Sequence, residues 1–60
     1  MITRVNGNIF LNGKRIDMYR LGDWLQRVHE ARTGTRVRFS QVSEELLLAA
    51  IAHDKGILRI

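Results

Sequence analysis

Few residues in this chain are equipped for bond-making chemistry, and their spacing does not assemble them. The stretch "HEART", residues 29–33, begins like the helix-borne zinc motif in which two histidines one turn apart hold the metal. Thr33 stands where the second histidine is required. His53 lies far along the chain, cysteine is absent, and two histidines fall short of the three protein ligands of a catalytic zinc. Ser40 and Ser43 have no histidine nearby and no nucleophile-elbow glycines, so they suit helix capping instead. In "GNIFLNGKR" five residues separate Gly7 from Gly13, one more than in a phosphate-binding loop, and Arg15 replaces the magnesium-binding hydroxyl. Asp23 and Glu30 alternate with Arg20 and Arg27 at helical spacing, a pattern of self-paired surface charges and not of a separated acid and base. The reading is a protein that is not an enzyme, with no metal and no cofactor.

Positive charge is what the sequence does supply. Ten Lys+Arg residues against six Asp+Glu leave a net +4, and eight of the ten are arginine. Arginine's planar fork binds phosphate and guanine edges in a way that a lysine point charge does not. With the helical pairs set aside, Arg4, Lys14, Arg15, Arg32, Arg36, Arg38, Lys55 and Arg59 remain without an obvious local partner. In "GTRVRFSQ", residues 34–41, Arg36 and Arg38 alternate with Val37 and Phe39. An extended chain would send the two arginines one way and the two apolar residues the other. Arg36 and Arg38 are therefore the first candidates for nucleic-acid contact, with Lys14 and Arg15 as phosphate clamps in a hairpin. Phe10, opposite Arg15, offers an aromatic ring for base stacking, for a core or for a subunit contact.

The elements that must position these residues are read from turns and periodicity. Asn6-Gly7 and Asn12-Gly13 are strong signals for two-residue hairpins, and they predict a meander of Ile2–Val5, Asn8–Leu11 and Lys14–Asp17. The implied register places Arg4 opposite Ile9, Ile2 opposite Leu11 and Phe10 opposite Arg15, with Ile2, Ile9, Leu11 and Ile16 on the core face. From Met18 the apolar period becomes helical through Leu21, Trp24, Leu25, Val28 and Ala31, ending near Thr33 with Gly34 as a C-cap. "TRVRF" reads as a strand. Ser40 or Ser43 caps a second helix running to about His53, with Glu44 and Glu45 at its positive end. "ILRI" reads as a terminal strand, parallel through a right-handed crossover or else antiparallel. The order is β-β-β-α-β-α-β: one small α+β domain over residues 1–60, with both helices packed on the sheet.

Assembly follows from size. A domain of 60 residues buries only about 60% of the surface its unfolded chain exposes, so its core is marginal. Val42, Leu46, Leu47, Leu48 and Ile51 cover more of the second helix than one sheet contact needs. The expectation is a homodimer joined through Leu47, Leu48 and Ile51. The longest apolar run, Leu46 to Ala52, has seven residues, far short of a membrane span, and the start of the chain does not read as a secretory signal. The absence of cysteine suits a reducing cytoplasm.

"TRVRFSQVSEELLLAAIA" resembles one ribbon and one helix of a ribbon-helix-helix repressor, in which alternate strand residues enter the major groove of DNA. The resemblance covers less than a third of the chain. Three strands and a helix precede it, and "ILRI" follows in place of a second helix, so no residue role is carried over. Taken together, the residues point to a dimeric regulator that binds DNA, or RNA, without catalysis. The alternative is a protein-binding module, a small inhibitor or assembly factor docking an acidic partner.

Overall fold

A computed structural model of the chain describes residues 1–59. Two turns organise the first seventeen residues. Asn6, Gly7, Asn12 and Gly13 have φ of 49°, 80°, 52° and 81°, the left-handed geometry that Asn-Gly tolerates and that matches strand twist. The turns close two antiparallel hairpins, giving β1 (Ile2–Val5), β2 (Asn8–Leu11) and β3 (Lys14–Arg15) in the order β1-β2-β3. Ile2 pairs with Leu11, Arg4 with Ile9 and Phe10 with Arg15, the register that two-residue loops dictate. Ile9, Leu11 and Ile16 are buried on one face, with Ile2 at its margin. β3 is two residues long where four were expected, although Ile16 N–H still reaches the Ile9 carbonyl at 3.0 Å.

Asp17 ends the meander and starts the helix. Its carboxylate accepts the Arg20 backbone N–H at 3.1 Å, capping α1 (Met18–Trp24). The helix continues through a π turn (Leu25–His29) into α2 (Glu30–Thr33) and stops at Gly34 with φ 70°. Leu21, Trp24 and Leu25 supply its buried stripe, while Ala31, the last of the series, is exposed. The π turn is not signalled by the apolar period. It shows as Glu30 N–H bonding the Leu25 carbonyl, one residue further back than in an α-helix. In an α-helix Trp24 and His29 would stand about 140° apart. The wider turn brings them to one side, where their rings stack at 5.9 Å and 26°.

Ser43 caps α3 (Glu44–His53) by accepting the Leu46 N–H at 3.1 Å. Val42, Leu47, Ala50 and Ile57 complete one hydrophobic cluster with the sheet and the first helix. Leu47 is 0% exposed and belongs to this core, so it is withdrawn from the expected dimer contact. Leu46 and Ile51 also pack partly against the cluster. The wide apolar face of α3 is thus largely absorbed within the chain, because Val42 and Ile57 close in beside it, and Leu48 at 49% exposure is what remains.

Two expected strands are corrected. Thr35–Phe39 forms no strand: residues 35–38 have no strand partner, and Phe39–Gln41 is a 3-10 turn. Val37 packs against the core and the Phe39 ring lies on Gly22 of α1, where an added Cβ would stand 3.2 Å from the ring. The alternation is therefore satisfied by packing beside α1 and not by a ladder. "ILRI" is a 3-10 turn at Lys55–Ile57 followed by one antiparallel bridge, Leu58 to Ile16. Asp17 N–H to the Ile57 carbonyl at 2.7 Å and Arg59 N–H to the Arg15 carbonyl at 2.9 Å hold this segment antiparallel to the meander, which excludes the parallel crossover. Ile60 lies outside the described residues. The architecture is α+β, a three-strand antiparallel sheet followed by two helices.

Candidate nucleic-acid interface

Ion pairing decides which cations are free to meet a ligand. Asp23 takes Arg27 at 2.8 Å, Asp54 takes Arg20 at 3.2 Å and Asp17 takes Arg59 at 3.5 Å. Arg20 thus leaves the helical flank expected of it and bridges to the far end of α3. Arg4 on β1 donates to the Val42 carbonyl. Two cations without a partner in sequence, Arg4 and Arg59, consequently have one in space. Among the described residues Lys14, Arg15, Arg32, Arg36, Arg38 and Lys55 show no ion pair.

Three of these six line two depressions that border the first helix. An open groove of about 880 Å³ runs between the first helix and the segment after Gly34. Its apolar lining includes Met18, Leu25, Val37 and Phe39, and Arg36 and Arg38 line it from that segment. A smaller depression of about 240 Å³ is lined by Arg15, Arg59, Asn8 and Asp17. The two share Met18 and Tyr19. Tyr19 is 86% exposed and lines both depressions, the larger of which Arg36 and Arg38 also line and the smaller Arg15.

Of the sequence-derived candidates, Arg36, Arg38 and Arg15 therefore line depressions that meet at Met18 and Tyr19, and Lys14 lines neither. Lys14 sits opposite Leu11, and strand alternation sends neighbouring residues to opposite faces. Phe10 is half-buried and lines neither depression. Tyr19 was missed, although the helical stripe holds a signal: it lies about 160° around the helix from Leu21. Gly22 is a second signal, since glycine inside a helix weakens it by about 1 kcal/mol relative to alanine and here admits the Phe39 ring.

Asp17 anchors the smaller depression. The Arg20 backbone N–H holds its carboxyl below the ordinary aspartate value; partial burial opposes this, and the Arg59 charge adds to the lowering. Among the described residues no three His, Asp or Glu side chains are grouped to hold a metal, and no helix is long and apolar enough to cross a membrane. His29 of the "HEART" stretch is engaged with the Trp24 ring. Comparison of the chain with protein-family models, curated proteins and solved structures gives no match.

Proposed function

We propose that the chain is a nucleic-acid-binding protein, a small regulator that acts by binding alone in a reducing cytoplasm. The observation that supports this reading is an exposed Tyr19 that lines both depressions, together with Arg36 and Arg38 on the larger and Arg15 on the smaller, none of these arginines in an ion pair among the described residues. Arginines neutralise phosphates, and an exposed ring offers a face to a base. The net charge of +4 aids encounter with a polyanion, and Lys14 contributes only to that general attraction. In this reading the arginines work from the wall of a groove and not from a ribbon.

A salt series measured by fluorescence anisotropy with a labelled oligonucleotide tests it. Wild type should bind at low salt, and the double substitution Arg36→Ala with Arg38→Ala should weaken binding and flatten log K against log salt by up to about two contacts. Absence of binding at low salt would sink the proposal. The second reading, an acidic protein partner docked on the same surface, is favoured by Phe39, which is 40% exposed beside the arginines.

Homodimerisation belongs to the proposal through Leu48 and the accessible part of Ile51. Light scattering at micromolar concentration should give twice the 7.0 kDa chain mass, and Leu48→Glu should return it to a monomer. A monomer mass for wild type would remove the dimer and leave the binding surface untouched.

A further inference from the structure

Resting on that reading, we infer that the ligand is single-stranded nucleic acid, with an unpaired base seated in the groove beside Tyr19 and neighbouring phosphates on Arg36, Arg38 and Arg15. The shape carries this. Duplex DNA is read by something convex, a helix or paired ribbon entering a major groove about 12 Å wide. Here the arginines border a concavity, and the segment bearing Arg36 and Arg38 has no strand partner and lies beside the first helix.

The interior of the groove fits a base better than a backbone. Met18, Leu25 and Phe39 make an apolar lining, whereas Gln26 and Glu30 bring hydrogen-bonding groups to the same groove. A base pairs its edge with such groups while its faces stay against carbon, and its phosphates remain outside with the arginines. About 880 Å³ is ample for one base and part of its sugar. In a duplex the faces of the bases are already stacked on one another, so Tyr19 would find none. In a single strand every base has a free face. The second depression, which Tyr19 also lines, brings in Arg15 and extends the track beyond a single nucleotide.

The test uses the full chain with three labelled probes: a single-stranded DNA of about 12 nucleotides, the RNA of the same sequence, and the blunt DNA duplex. Binding of either single strand about 10-fold or more tightly than the duplex supports the inference, and the tighter of the two names the sugar. Tyr19→Ala should weaken single-strand binding by about 10-fold, and Tyr19→Phe should stay within about twofold of wild type. The exposure of Tyr19 means that neither variant should shift the melting curve, so loss of affinity would not reflect unfolding. Duplex binding as tight as single-strand binding overturns the inference but not the nucleic-acid reading. So does single-strand affinity that depends on Arg36 and Arg38 yet ignores Tyr19→Ala. Failure of all three probes to bind removes both.

Discussion

The hairpins at residues 2–15 and the segment at residues 35–39 both read as strands in the sequence, and they fold differently. In the hairpins two Asn-Gly turns fold each strand directly onto its neighbour, so the ladder forms between residues close in sequence. After Gly34 no turn returns the chain to the sheet. Val37 and Phe39 meet the core and Gly22 from the side, and the backbone between them bonds to Gln41 and not to a strand. Alternation states which residues turn inward. A strand also needs a sheet edge to pair with, and residues 35–38 meet none.

The largest expected effect compares the two regions directly. Ile9 is fully buried on β2, so Ile9→Ala should lower stability by about 2–5 kcal/mol, comparable with the roughly 3–9 kcal/mol total of a 60-residue domain. Val37 is only half-buried, and Val37→Ala should lower it by about 1 kcal/mol. Urea denaturation reads both, and equal losses would mean that the segment at residues 35–39 is as deeply built into the core as the sheet.

Turn chemistry gives the next effect. Gly13→Val puts a β-branched residue at φ 81° and should lower stability by about 2 kcal/mol. An unchanged melting temperature would show that the second hairpin does not depend on its left-handed turn. Amide hydrogen exchange sharpens the same contrast without mutation. The Ile16 amide, bonded to Ile9, should be protected, while Arg36 and Val37, which have no strand partner, should exchange nearly as fast as an unfolded chain.

The smallest effect concerns the junction of the two regions. Because the folded Asp17 carboxyl is held below its ordinary value, its contribution is present above about pH 4 and is lost as pH falls through the lowered value. Asp17→Asn should therefore reduce stability at neutral pH and flatten the acid limb of a stability profile. An acid limb unchanged by the substitution would show that the cap and the Arg59 contact carry no pH-dependent stability.

What was legible in the sequence was local. Asn-Gly pairs specify both hairpins, Gly34 stops the first helix and Ser43 starts the next, each within a few residues of its effect. Leu47 shows where local pattern ends. A wide apolar face is equally good for a partner chain or for Val42 and Ile57, and only the tertiary fold assigns Leu47 to the second. The groove was invisible for the same reason. Arg36 and Arg38 were legible as free cations, but their place on a groove that Tyr19 also lines depends on where the chain runs after Gly34. That path is set by Phe39 on Gly22, residues seventeen positions apart.

The central claim is that Tyr19 and the arginines that line the same two depressions form one binding surface. The most direct measurement is an NMR titration of the isotope-labelled chain with the single-stranded oligonucleotide. The account predicts that shifts concentrate at Tyr19, at Arg36 to Phe39 and at Arg15, while Lys14 and the exposed side of α3 at Leu48 stay still. Shifts centred on Lys14 or on α3, with Tyr19 and Arg36 unmoved, would contradict it.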